Sequence, residues 1–166
     1  MSILEAERWG ESGARIVMVH GSLGSALTAF SEQQSLAARW QIIAPYRRGY
    51  SPSPGTDRID PDRDADDLLE IIGEGAHLIG TSMGGVVAMR AAAKAPERIH
   101  SLTVIEPPAL PNGAGRPEVD QLRTALREHW ETHESADHET FVAGFLRALN
   151  VQMALPSPLP APLGRV

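Results

Sequence analysis

The chain has no cysteine, which removes disulfides, thiolate zinc sites and a cysteine nucleophile together and suits a reducing, cytoplasmic setting. Basic charge is also in deficit. The formal net charge is −6, and the Lys and Arg residues are scattered without interleaved aromatics, so no field exists for a phosphate backbone and nucleic acid is not expected as a partner. No apolar run approaches the roughly 18 residues of a membrane helix. The first ten residues place Glu5 and Glu7 where a signal peptide needs a positive start and an apolar run. The expectation is a soluble, unexported, cytoplasmic protein with no membrane partner. Neither G-x-x-x-x-G-K-[ST] nor a G-x-G-x-x-G after a strand occurs, so a nucleotide cofactor lacks support and none is expected.

What is present suffices for one sizeable core, since 42% of the 166 residues are hydrophobic. Residues 3–9 and 14–19 read as strands around the turn Gly10-Glu11-Ser12-Gly13, the second nearly continuous in apolar residues and so buried on both faces. Helical spacing follows over 26–39 through Leu27, Phe30 and Leu36, with Trp40 at the end, then a strand over 41–45 closed by Pro45. A loop rich in Arg, Gly, Ser and Pro runs from Tyr46 to about Asp60. Residues 62–72 make a helix with acids in its first turn. Residues 76–80 form another apolar strand, a helix runs from Ser82 to about Ala95 before Pro96, and 101–105 make a further strand. Apolar strands alternating with helices predict an α/β fold, an open and mostly parallel sheet with flanking helices and its chemistry at the carboxyl ends of the strands.

Three segments are expected: a core over 1–112, a helical region over 113–155 containing amphipathic helices at 117–131 and 137–149, and a proline-alternating tail over 156–166, extended or disordered. No internal repeat is evident.

Gly80-Thr81-Ser82-Met83-Gly84 matches G-x-S-x-G between an apolar strand and a helix, the context of a nucleophile elbow. There a serine occupies a tight strand-to-helix turn, flanking glycines let backbone pass closely, and the amide after the serine points from the helix N-terminus at a developing oxyanion. Ser82 is the candidate nucleophile and Met83 an oxyanion donor. The plainer reading is a glycine-rich turn whose serine merely caps the helix.

From about Glu7 to Pro108 the chain resembles the α/β-hydrolase family. The resemblance is carried by His20-Gly21 after one strand, Arg48-Gly49-Tyr50-Ser51 after the next, Gly80 to Gly85 at the elbow, and Val104-Ile105-Glu106-Pro107-Pro108 after the following strand. It implies a second oxyanion donor at the Ser22 backbone N–H, a structural role for His20, a lid after Pro111, and hydrolysis of a small-molecule acyl substrate, an ester or a related thioester, lactone or carbon–carbon bond. Thr81 departs from the histidine often found before the serine, at a variable position.

A serine needs a base oriented by a carboxylate, and the family order is serine, acid, histidine. No strand signal follows the lid-like stretch, and the histidine base is not identified. His77 and His100 lie at the wrong ends of their strands; His129, His133 and His138 fall in the lid-like region, where a solvated face or loop is the plain reading. Glu106, at the carboxyl end of a strand after Ser82, is the candidate acid, against a carboxylate bonded to loop amides. Asp120 and Asp137 read as helix-surface or capping residues. The expected whole is an N-terminal portion of a larger hydrolase, lacking the C-terminal strands. Its open sheet edge would invite self-association or pairing with a missing C-terminal half.

Other patterns carry less. His129 and His133 stand at i, i+4 but lack the glutamate of H-E-x-x-H, so no metal is expected. Asp60, Asp62 and Asp64 have Ala65 where a calcium loop needs glycine and read as a solvated helix start. Arg47 and Arg48 face two readings, an anionic substrate or a loop salt bridge, with the bridge preferred.

Overall fold

The computed structural model describes residues 4–133, 136–152 and 154. Five strands, β1 (Ala6–Trp9), β2 (Arg15–Val19), β3 (Gln41–Pro45), β4 (Ala76–Thr81) and β5 (Ile99–Ile105), form one sheet in the order β1-β3-β2-β4-β5. The pairs β2–β3, β2–β4 and β4–β5 are parallel. The edge pair β1–β3 is antiparallel, because β1 and β2 are joined by a turn too short for a crossover and β3 inserts between them. The α/β fold class and the mostly parallel sheet therefore stand, with one antiparallel edge.

Side chains alternate across the sheet and separate two cores. Val17, Val19, Ile43 and Leu78 pack with Leu68, Ile71 and Ile72 of α2 (Pro61–Ile72 in the element order β3-α2-β4) and with Val87, Ala88 and Ala91 of the helix after β4. On the opposite face Ile16, Met18, Ile42 and Ala44 meet Ala26 and Phe30 of α1 (Ala26–Phe30), with Tyr46 and Tyr50. Val17, Leu78 and Ile72 are wholly buried, each stabilising by roughly 1.5–3 kcal/mol.

The helix over 26–39 is interrupted. α1 ends at Phe30, and Ser31–Ala38 continues as a 3₁₀ segment with no buried residue. Of the apolar positions that suggested one helix, Leu27 and Leu36 are exposed, Trp40 is half-buried beyond the 3₁₀ segment and Phe30 alone is buried, so no stripe holds a longer α-helix to the core. α2 begins as expected for its chemistry: Asp60 accepts from the Arg63 amide and Pro61 occupies the first turn.

Contacts divide the chain into two compact units, one reaching Pro108 and one beginning at Ala109. In the first, α3 (Met83–Lys94) follows β4, and all of β5 from His100 to Ile105 is exposed, including Leu102 and Val104. Among the described residues no strand follows β5. The second unit contains α4 (Pro117–His133) and α5 (His138–Ala148), packed on each other. Asp137 caps α5 by accepting from Thr140 N at 2.9 Å. The tail expected over 156–166 lies outside the described residues. No described helix is long and apolar enough to cross a membrane.

Candidate active site

Ser82 forms the whole turn between β4 and α3. Its backbone lies at φ 52°, ψ −124°, a region that a non-glycine residue occupies only when the surroundings impose it, at a cost of order 1–3 kcal/mol. Its amide donates to Ile105 O at 2.8 Å and its carbonyl accepts from Gly85 N at 2.9 Å. The side chain makes no capping bond to α3, and the residue is exposed. The plainer reading, a serine that caps a helix, does not describe this geometry.

The flanking glycines are needed for close approach. A Cβ on Gly84 would stand 2.2 Å from Val19 O, and one on Gly80 2.4 Å from Gly84 O. This packs the start of α3 directly against the end of β2. The Met83 amide is then the first of a 12-residue helix and has no intrahelical acceptor.

The loop after β2 reaches the same place. A Cβ on Gly21 would lie 2.9 Å from Ser82 Cβ and 3.5 Å from Ser82 Oγ, so the Gly21–Ser22 segment abuts the serine. His20 is fully buried. Its Nε2 lies 3.1 Å from Arg47 N, which can only donate, so the proton sits on Nδ1 and is donated to Gly21 O at 2.8 Å. Burial and then the neighbouring Arg47 charge lower the His20 pKa to about 3. The ring is a neutral structural strut.

Beneath this loop is a network that sequence reasoning missed. The Arg47 side chain is 3% exposed and bonds to His20 O, Gly21 O, Tyr50 Oη and Asp64 Oδ2. Asp64 is buried, which corrects the solvated reading of the acidic run; burial, partly offset by Arg47, raises its pKa. Asp62 does face solvent, paired with Arg90. Arg48 pairs with Asp67 at 2.9 Å, so both arginines are in salt bridges. Paired arginines after a strand and acids one helical turn apart on α2 were the available signal, but their partnering depends on how α2 docks.

Glu106 follows the residue that holds the Ser82 amide. It is exposed at φ 49° and, among the described residues, makes no hydrogen bond or ion pair, so the alternative, a carboxylate bonded to loop amides, is not seen. His77 and His100 occupy the amino-terminal ends of β4 and β5. His77 bonds to Ser101 Oγ at 2.8 Å and meets Trp40 and His100 edge-on. Five residues of extended chain, about 16 Å, separate it from Ser82.

Within the second unit His129 is buried, correcting the expectation of a solvated face. Its ring packs 4.6 Å from that of His133 and 4.8 Å from that of Phe141. Among the described residues neither ring nitrogen makes a well-formed hydrogen bond. Burial, then His133 and Arg147, lower its pKa, against a weaker raising pull from the Phe141 backbone. His133 Nδ1 lies 2.7 Å from Thr132 Oγ1, and the His138 side chain lies outside the described residues. Among the described residues no group of three or more His, Cys, Asp or Glu could hold a metal ion.

The fold and this turn define a class, and comparison with known proteins agrees. A family model described as "Alpha/beta hydrolase family" matches residues 16–165. The chain belongs to the α/β-hydrolase family. It is 36% identical over 111 residues to the "Serine hydrolase BPHL" of Mus musculus, covering 61% of this chain and 38% of that protein. It is 30% identical over 104 residues to the "Pimeloyl-[acyl-carrier protein] methyl ester esterase" of Aeromonas hydrophila, covering 61% and 41%. The crystal structure of an α/β hydrolase from Sphaerobacter thermophilus superimposes with a TM-score of 0.68 at 26% identity, over 91% of this chain and 58% of that one. The matched regions span 29% to 41% of the curated relatives' length.

Proposed function

We propose that this chain carries the nucleophile of a serine hydrolase acting on an ester or related acyl substrate. The observation that carries the reading is Ser82, held at φ 52° with no capping bond from its side chain and, among the described residues, no hydrogen bond to its hydroxyl. Ser82 Oγ attacks the carbonyl carbon while its proton passes to a base. The carbonyl oxygen, now negative, is held by the Ser22 and Met83 amides; collapse expels the leaving alcohol with that proton and leaves an acyl group on Ser82, which water removes. Relatives named as a serine hydrolase and a methyl ester esterase support the ester class.

The base is proposed to come from outside the described residues of the first unit, because His20, His77 and His100 are engaged elsewhere. Glu106 is the candidate acid. The α4–α5 unit is proposed as the lid. Where the base is lacking, a second reading holds, a partner-dependent or binding module, and the outer edge of β5 favours it: β5 pairs with β4 on one side and with no described strand on the other, and an open strand edge is a template for a further strand.

Intact mass after incubation with a fluorophosphonate tests both. Wild type should gain one phosphonyl group and Ser82→Ala none. Equal labelling of Ser82→Ala would end the serine reading. Labelling that needs an added polypeptide with a strand and histidine would establish the partner-dependent form.

A further inference from the structure

We propose that Arg47 is the positioning residue of the oxyanion loop, gripping its carbonyls so that the Ser22 N–H is aimed away from the guanidinium and toward Ser82; this rests on Ser82 being the nucleophile. Three consecutive carbonyls of the loop are tied back. His20 O accepts from Arg47 Nε at 3.1 Å and Gly21 O from Arg47 Nη2 at 3.2 Å. Ser22 O accepts from Tyr50 Oη at 2.9 Å, and that oxygen accepts in turn from Arg47 Nη2 at 3.2 Å. Asp64 Oδ2 takes Nη1 at 3.0 Å and fixes the guanidinium to α2.

The geometry of the peptide unit converts this grip into a direction. In a trans peptide the C=O and the following N–H point oppositely, so holding Gly21 O against Arg47 turns the Ser22 N–H to the other side. The neighbouring Gly21 Cα abuts Ser82. A cationic donor on the carbonyl also polarises the peptide and strengthens its N–H as a donor. Lysine could not serve these acceptors at once, because its ammonium is one point rather than a planar fork. Replacing a buried ion pair with apolar residues is often neutral or favourable for stability, so retaining this one fits a demand for position. Arg48 is the internal contrast: it pairs with Asp67 and bonds to no loop carbonyl.

The test measures the fluorophosphonate labelling rate at saturation, its half-saturating concentration, Tm, and the Ser22 and Leu23 amide resonances in the full chain. Arg47→Met and Arg47→Lys should slow the saturated rate by on the order of 10²-fold while changing half-saturation by less than about 2-fold, and Tyr50→Phe should slow it severalfold. Arg48→Met should leave the rate unchanged. Arg47→Met with Asp64→Leu should recover Tm but not rate, and Arg47→Met should shift the two amide resonances where Arg48→Met does not. Recovery of rate together with Tm in the double variant would overturn the proposal, as would unshifted amides in Arg47→Met. If wild type is unlabelled both alone and with an added polypeptide that supplies a strand and a histidine, the nucleophile reading falls by itself and the amide resonances alone decide the role of Arg47 in the loop.

Discussion

His20 in the first unit and His129 in the second are both buried, yet His20 uses both ring nitrogens in hydrogen bonds and His129 uses neither well. The surroundings differ in kind. His20 is enclosed by backbone carbonyls, a guanidinium and the Tyr50 ring at 4.5 Å; His129 is enclosed by rings, those of His133, Phe141, Trp130 and Phe145. A satisfied polar network fixes one arrangement, whereas ring packing with an orphaned polar group tolerates several. The first unit is built to hold backbone direction at Ser82, and the second is held by shape.

The contrast can be broken most sharply with two glycines. At Gly84 an added Cβ meets the backbone oxygens Val19 O and His20 O at 2.2 and 2.5 Å, whereas at Gly144 it meets the His129 ring at 2.6 Å. Backbone cannot yield and a side chain can. Gly84→Ala should lose about 3 kcal/mol or more of unfolding free energy, and Gly144→Ala about 1 kcal/mol. Equal losses in denaturant melts would mean that the second unit is as rigid as the first.

Acid sharpens the same contrast. With the His20 pKa lowered from 6.5 to about 3, the unfolded chain binds a proton there that the folded chain does not, so stability is full above pH 6.5 and declines as pH falls. The slope is up to about 1.4 kcal/mol per pH unit. Asp64, raised by burial, works oppositely at the acid end, so the slope is best read between pH 6.5 and 5. A His20→Gln variant should flatten it; an unchanged slope would assign the effect to other groups.

A smaller effect of opposite sign is expected in the second unit. His129→Leu removes two poorly satisfied nitrogens and should stabilise by about 1 kcal/mol at pH 7.5. A lower Tm would show that the ring has a polar partner worth keeping. Least of all, Arg90→Ala deletes the half-exposed pair with Asp62 and should change stability by under about 0.5 kcal/mol, against a much larger loss for Asp64→Ala beneath the loop.

The elbow and the strands around it were legible in the sequence because their signals are local: short apolar runs, a glycine on each side of Ser82, and a proline after the helix. The α5 cap at Asp137 was legible for the same reason, since a capping carboxylate bonds within three residues. The second half of 26–39 carries helical spacing in the sequence yet is 3₁₀, because Leu36 stays exposed and anchors nothing to the core. The burial of His129 was not legible in the sequence, because a histidine beside Glu128 and Glu131 on a polar helix carries no sign that Phe141 and Phe145 of α5 will pack over it.

By itself the sequence determined the fold class and the placing of Ser82 and Met83 at a strand-to-helix turn, because adjacent residues and backbone sterics suffice for both. Tertiary structure alone decided that β1 runs antiparallel at the edge, that Asp64 is buried while Asp62 is not, and that Arg47 and not Arg48 holds the Gly21 carbonyl. The first depends on β3 inserting between β1 and β2; the others depend on which face of α2 meets the sheet, and a one-residue difference along an extended loop turns a side chain from one partner to another.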